Sequence, residues 1–191
     1  MNNKNIFKWG CGLLLLSFGL VAQAENAVII KTGTFKLSHD TQMLDNLSRS
    51  IDDNAKNVYG LAWEDRAGDG LAQGLEFMRY TNRWHAPPAA DGDITSRLLM
   101  FTLKKYQDHG LYHPYLGAGV GLAHADVGGG GINFHPSIGL ALQVIGGVEL
   151  RWEGAGLYTE LKALYAEPGN FVGDDVNVSG VGLFVGLSIL F

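Results

Sequence analysis

Three features of the sequence could first suggest a chemical site, and none of them forms a complete one. Four consecutive glycines, Gly128 to Gly131, could cradle a phosphate, but no Lys-Ser or Lys-Thr pair follows them as a phosphate-binding loop requires. His109 and His113 could bind a metal ion, but no third ligand accompanies them. Cys11, the single cysteine, lies in the leader described next. We therefore expect no metal, no cofactor and no thiol chemistry.

The start of the chain has the layout of a secretory signal. Two lysines precede an apolar run, which ends in the small residues Ala22-Gln23-Ala24 typical of a cleavage site. Because the apolar run is shorter than the roughly 20 residues of a spanning helix, we expect Sec-type export and cleavage near Ala24. Residues 1–24 are then the signal peptide, and residues 25–191 form one domain.

The composition of the remaining chain favours β-structure in contact with lipid. The net charge is −5 and becomes more negative once the two lysines of the leader are removed, which argues against a nucleic-acid partner. No apolar segment reaches the length of a spanning helix, although 47% of the residues are hydrophobic and 27 are glycine. These features are typical of strands that expose an apolar surface to a bilayer.

The final segment, Val178 to Phe191, shows the clearest strand pattern. Alternate side chains of a strand point to opposite faces. One face of this segment is entirely apolar: Val181, Leu183, Val185, Leu187, Ile189 and Phe191. The other face is rich in glycine and suits a cramped interior. The pattern predicts an apolar face toward lipid.

The rest of the chain divides into further segments of strand length, which gives eight in all. They are residues 27–38, 56–66, 72–84, 95–106, 114–125, 136–152, 157–166 and 178–191. Short glycine-bearing turns at 67–70, 107–110 and 153–156 alternate with longer connections at 39–55, 85–94, 126–135 and 167–177. This alternation predicts an all-β fold, an eight-stranded antiparallel up-and-down transmembrane β-barrel with periplasmic turns and outer loops. Within the first loop, Asp40 to Asn54 has apolar residues at helical spacing and predicts a short surface helix.

Several charged side chains are assigned to the inward face of the barrel. They are Lys31, Glu64, Glu76, Lys104, Glu149, Arg151, Glu160 and Lys162. An eight-stranded interior is only just wide enough for its own side chains, and unpaired buried charge is very costly. We therefore predict that these residues pair and form an ion-pair plug. Arg79 is the exception, because it shares a face with Leu75 and Phe77, so it lies either near the outer rim or beside a bulge.

Two motifs carry a resemblance to known proteins. The run Pro114 to Ala123, PYLGAGVGLA, resembles the fifth strand of small outer-membrane barrels of the OmpA-like and opacity-protein group. The ending, with Gly186, Ile189 and Phe191, is similar to the signal read by the barrel assembly machinery. The resemblance implies localisation in the cell outer membrane of a Gram-negative bacterium. It also implies a monomer whose partners are the assembly machinery, outer-membrane lipid and lipopolysaccharide.

Two alternatives to a non-catalytic barrel remain open. Lipid A deacylases of this group carry His-x-Ser on the seventh strand and a downstream carboxylate, and His135-Pro136-Ser137 with Glu149 has a comparable spacing but lies on the sixth. A soluble periplasmic barrel binding a small apolar ligand would turn the aliphatic faces inward, but Gly117, Gly119 and Gly121 would then weaken an exposed strand. We expect a non-catalytic barrel that serves membrane integrity, or surface interaction through its outer loops.

Overall fold

Eight long strands close into one antiparallel barrel. A computed structural model describes residues 25–38, 50–51, 55–86, 90–129, 136–169 and 177–191. The strands are β1 (Glu25–Leu37), β2 (Lys56–Arg66), β3 (Leu71–Ala86), β4 (Ala90–Tyr106), β5 (Tyr112–Gly129), β6 (Ser137–Trp152), β7 (Ala155–Ala166) and β8 (Gly180–Leu190). The predicted fold class and strand number are therefore confirmed. No helix in the described ranges is long and apolar enough to span a bilayer.

The barrel closes where the first strand meets the last. β1 pairs with β8 from Ala27 opposite Leu190 to Leu37 opposite Gly180, and on its other edge it pairs with β2. The backbone N–H of Phe191 also donates to the carbonyl of Asn26 at 3.0 Å. Each remaining strand pairs with its sequence neighbours, so each of the eight has two hydrogen-bonded neighbours.

The three short connections lie at one end of the barrel, which we call the turn end, and the other is the loop end. Each short connection contains one glycine with positive φ: Gly70, Gly110 and Gly154. In the first turn the backbone N–H of Leu71 donates to Asp69 at 3.0 Å, and this hydrogen bond lowers the pKa of the Asp69 carboxyl.

One prediction at the loop end is wrong, and a second lies mostly outside the described residues. The segment 85–94 is largely strand rather than loop, because the hairpin of β3 and β4 continues to Ala86 opposite Ala90. Within the segment predicted as a helix, Ser50–Ile51 is instead a two-residue strand paired with β3, and all the other residues from 40 to 54 lie outside the described ranges. At the loop end the strands extend beyond the part of the wall that is covered by apolar side chains. Pairing there satisfies backbone hydrogen-bonding groups, but the hydropathy pattern no longer distinguishes strand from loop.

Inward glycines make room for aromatic rings on neighbouring strands. Gly147 lies opposite Tyr115, and Gly186 lies opposite Tyr158. A Cβ atom built on Gly147 would lie 2.6 Å from Cζ of Tyr115, which is closer than side-chain atoms pack. The tyrosine ring therefore requires glycine at this position.

We predict that Gly147→Ala destabilises the barrel by about 1–3 kcal/mol, the usual effect of overpacking. The measurement is a urea unfolding curve of the protein refolded in lipid. Gly68→Ala is the matched control, because a Cβ atom at Gly68 meets nothing within 4 Å. Equal unfolding midpoints for the two variants would contradict this account of the packing.

Candidate functional site

The predicted charged residues converge on the interior of the barrel. Seven of the eight are buried, with relative exposures of 3% or less, and Arg151 is part-buried at the turn end. The buried seven are Lys31, Glu64, Glu76, Lys104, Glu149, Glu160 and Lys162. Strand alternation positions them, since their outward neighbours are mostly aliphatic.

Glu160 on β7 is the centre of the cluster. Its carboxylate accepts hydrogen bonds from Nζ of Lys31 at 2.8 Å and from Nζ of Lys104 at 3.1 Å. The hydroxyl of Tyr115 donates to it at 3.1 Å, and Nζ of Lys162 lies 3.5 Å away. One carboxylate therefore joins four strands.

Glu76 on β3 forms the part of the cluster nearest the loop end. Nζ of Lys31 lies 2.5 Å from its Oε1 atom, and Nζ of Lys162 donates to the same oxygen. The side-chain amide of Gln143 donates to its other oxygen at 3.1 Å. Lys31 therefore bridges Glu76 and Glu160.

Glu64 continues the cluster toward the turn end. Its carboxylate lies 2.7 Å from Nζ of Lys104 and accepts a hydrogen bond from the hydroxyl of Tyr106 at 2.9 Å. The guanidinium of Arg66 donates to it at 3.0 Å. Lys104 thus links Glu64 to Glu160.

Glu149 ends the cluster at the turn end. It accepts hydrogen bonds from Arg66 at 2.9 Å, from Arg151 at 2.8 Å and from the hydroxyl of Ser188 at 2.5 Å. Arg151 also donates to Glu25 at 3.3 Å. We call the whole set the ion-pair network: Lys31, Glu64, Arg66, Glu76, Lys104, Glu149, Arg151, Glu160 and Lys162.

Arg66 also belongs to the network, although it was not among the predicted residues. It is 5% exposed and connects Glu64 with Glu149, which otherwise belong to separate parts of the network. Because Arg66 follows Glu64 by two positions on the same strand, alternation could have placed it inside. Its position at the very end of β2, beside the turn, obscured that signal.

Aromatic rings border the network. The Lys104 amine lies 4.9 Å from the ring centre of Tyr115, and the Arg66 guanidinium lies 4.8 Å from that of Tyr106. Phe184 lies within 5.5 Å of the Lys31 amine and also belongs to the apolar cluster nearer the loop end. Such rings attract cations through their π-electrons while presenting apolar edges to other neighbours.

The loop-end half of the interior is mostly apolar, with Asn82, Ser96 and Ser137 as buried polar exceptions, which differs from the charged interior that the sequence led us to expect. Phe35 and Tyr80 stack there with ring centres 4.5 Å apart. The hydroxyl of Tyr80 donates to the carbonyl of Val178 at 2.7 Å. We call the buried residues of this half the apolar layer; its largest members are Phe35, Met78, Tyr80, Ile94, Leu98, Met100 and Phe184.

Ser137 and Glu149 cannot act together as a nucleophile and its supporting carboxylate. They lie at opposite ends of β6, twelve positions apart, which corresponds to roughly 40 Å along a strand. The carboxylate of Glu149 is bound by the ion-pair network, and His135 lies outside the described residues. The arrangement required by a deacylase-like site is therefore missing at these positions.

The other predicted site residues do not join the network. Ile189 and Phe191 face outward with exposures of 57% and 69%, while Gly186 lies beside the ring of Tyr158. At the turn end, His113 lies 3.8 Å from Asp108. Within the described ranges, no group of three or more His, Cys, Asp or Glu side chains could hold a metal ion.

The aliphatic outer wall and charged interior define the class of protein as an integral membrane β-barrel. The fold is similar to that of several solved structures, two of which are named as outer membrane proteins. Neisserial surface protein A shares 20% identity at a TM-score of 0.59, covering 89% of this chain and 100% of that one. OprG from Pseudomonas aeruginosa shares 16% identity at a TM-score of 0.62, covering 88% of this chain and 97% of that one. E. coli outer membrane protein W shares 17% identity at a TM-score of 0.50, covering 90% of this chain and 100% of that one.

These likenesses concern the fold. No protein-family model matches the chain, and no curated protein matches it by sequence. The chain has the fold of the small eight-stranded outer-membrane β-barrels, as its fifth-strand and C-terminal motifs predicted. What it does within that class has to be inferred from its own residues.

We predict that Glu76→Gln destabilises the barrel by about 3 kcal/mol, because it leaves Lys162 and Lys31 short of a buried counter-charge. Adding Lys162→Met should recover part of the loss, since the two removed charges are opposite. Urea unfolding in lipid measures both variants.

Asp93→Asn is the control on a solvent-exposed pair. Asp93 lies 3.9 Å from Arg83, and the two side chains are 60% and 50% exposed. Removing such a pair should change stability by no more than about 1 kcal/mol. A double variant that is less stable than Glu76→Gln alone would refute the charge-balance explanation.

Proposed function

We propose that this chain is a non-catalytic, monomeric barrel of the cell outer membrane whose interior is closed by its own side chains. It is exported, cleaved near Ala24 and inserted by the barrel assembly machinery, which reads Gly186, Ile189 and Phe191. It contacts outer-membrane lipid and lipopolysaccharide along its wall. Its role is membrane integrity, or surface interaction through the loops at the loop end.

The distribution of apolar and charged side chains supports a membrane location. Leu183, Val185 and Leu187 on β8 are 56%, 47% and 58% exposed, while Glu160 and Lys162 are 0% exposed. A soluble barrel with an apolar ligand cavity needs the reverse arrangement, so that alternative is wrong. The aliphatic side chains on the outward faces of the strands prefer lipid to water.

One observation carries the proposal of a closed interior. The ion-pair network and its hydrogen-bonding partners include a side chain from every one of the eight strands, with Tyr115 representing β5 and Ser188 representing β8. The apolar layer lies above it toward the loop end. An ion crossing the barrel would have to separate paired charges and then enter an apolar region, and both steps are costly.

We predict that the purified protein produces no stepwise conductance in planar bilayers at physiological salt. Folding is verified in the same preparation by the shift in gel mobility between heated and unheated samples. Detergent without protein is the blank. Reproducible channel events from folded wild-type protein, absent from the blank, would refute a closed interior.

The absence of catalysis is tested at the residues of the deacylase-like alternative. We predict that replacing His135 and Ser137 by alanine leaves the lipid A species of the expressing cell unchanged, because Ser137 has no carboxylate within reach on β6. Mass spectrometry of extracted lipid A is the measurement. Cells without the protein supply the comparison, and disappearance of a deacylated species in the variant would establish the enzyme instead.

A further inference from the structure

Three neighbouring strands change from apolar to polar at the same row of the outer wall. Arg79 on β3 lies opposite Arg97 on β4, which lies opposite His124 on β5. We call these three residues the basic row. Toward the turn end, the next outward positions are apolar on all three strands: Leu75, Phe77, Leu99, Phe101, Val120 and Leu122. The basic row is therefore the first polar level above the apolar band.

The outward direction of Arg79 settles the choice left open by its sequence position. The pairing of β3 with β4 runs without a register shift from Leu71 to Ala86, so no bulge turns Arg79 inward. The register shift in this region lies instead on β2, between Lys56 and Tyr59. Arg79 is thus a wall residue at the boundary of the apolar band, where an arginine costs about 0–1 kcal/mol rather than the larger midplane cost.

No carboxylate lies directly opposite any member of the basic row. Directly opposed side chains on paired strands have Cβ atoms about 4.5–5.5 Å apart, and like charges at that separation repel. Arg79 donates one hydrogen bond, to the hydroxyl of Tyr59 at 2.9 Å, while its Nε atom is buried without a partner. Within the described ranges, Arg97 has no hydrogen bond or ion pair, and Nδ1 of His124 is also buried without a partner.

The nearest carboxylates on this face lie further toward the loop end. Asp126 on β5 lies opposite Thr95, one outward position beyond the basic row. Asp93 on β4 lies two outward positions beyond the row and pairs with Arg83. The positive charges of Arg79 and Arg97 are thus the ones closest to the apolar band. An anion located at this level would relieve their repulsion.

An apolar groove begins directly below the basic row. It has a volume of about 210 Å³, and Arg97 and His124 line it together with Phe77, Leu99, Leu122 and Ile138. An apolar groove that begins at the level of the Arg97 guanidinium suits a ligand that has an anionic head and acyl chains. Arginine is well matched to phosphate because its guanidinium binds two oxygens at once.

We propose that the basic row and this groove bind the lipid A part of lipopolysaccharide, with a lipid A phosphate on Arg79 and Arg97 and an acyl chain in the groove. The assignment rests on the proposed function, because the loop end must face the outer leaflet for this lipid to reach the row. His124 lies at the same level and donates to the phosphate or its sugar. The site holds one lipid A molecule at a defined place on an outer wall that is otherwise covered by apolar side chains.

Native mass spectrometry of the refolded mature barrel in detergent tests the site. The probes are bis-phosphorylated lipid A, the same lipid A with its phosphates removed, and phosphatidylglycerol. Wild-type protein should retain bis-phosphorylated lipid A in preference to both others. Arg97→Gln should weaken that binding about tenfold, the usual effect of losing a charged hydrogen bond, and Arg79→Gln with Arg97→Gln should abolish it.

Lys105→Gln is the matched control, since Lys105 is a cation on the same face of β4 at the turn end. Its lipid A binding should equal that of wild type. Unchanged binding by the double arginine variant, or equal retention of the phosphate-free probe or of phosphatidylglycerol, would overturn the proposal.

The folding shift and the bilayer measurement on the same samples separate this proposal from the proposed function. A folded, non-conducting barrel that does not select lipid A refutes the lipid site alone. If the double variant fails to fold, Arg97→Gln decides the question, because Arg97 makes no hydrogen bond or ion pair with the described residues.

Discussion

Burial of charge inside a narrow barrel is the constraint on which the rest of this structure depends. The described interior contains four carboxylates and five cations, and each carboxylate contacts at least two cations. Charges of this kind are stable only when all partners are present, because removing one leaves an uncompensated charge. Since the partners come from different strands, the network is completed only when the barrel closes. Closure and charge compensation are therefore the same event.

The two layers of the interior solve different parts of the packing problem. The ion-pair network occupies the turn-end half, where short turns hold the strands together, and tyrosine hydroxyls complete its hydrogen bonding. The apolar layer occupies the loop-end half, where Phe35 and Tyr80 stack. Phe184 contacts both layers. An interior of mixed character, with large rings accommodated against glycines such as Gly147, leaves little freedom for strands to slide, since a slip of one residue would place charges in lipid.

Much of the fold could be predicted from alternation, and the failures have clear physical causes. β6 and β8 alternate between aliphatic and small or polar residues with few exceptions, such as the inward Ile145 and Phe184, so their bounds and faces were predictable to within two residues. β3 and β4 continue past the apolar band into the loop end, where hydropathy no longer distinguishes strand from loop. The apolar layer was harder to predict because the outward face changes character at its level. On β3 and β4 the outward face is apolar at Phe77 and Leu99 and polar at Arg79 and Arg97, so alternation between apolar and polar residues does not keep one sense along these strands.

The members of the ion-pair network could mostly be predicted from the sequence, but their pairing could not, for a related reason. Alternation assigns a residue to a face but not to a height in the barrel, so the pairing of Lys31 with both Glu76 and Glu160 requires the register of distant strands. Arg66 was lost because it occupies a strand end.

Charged residues inside the barrel and on its outer wall differ in whether they have counter-charges. Inside, every carboxylate of the network has several cations within 3.5 Å. On the wall, Arg79 and Arg97 face each other across paired strands with no carboxylate between them. Each buried carboxylate is thus matched by cations, whereas neither Arg79 nor Arg97 has a carboxylate directly opposite it at the edge of the apolar band. In the proposed lipid site, their counter-charge comes from lipid head groups, of which the outer leaflet supplies phosphates on lipid A.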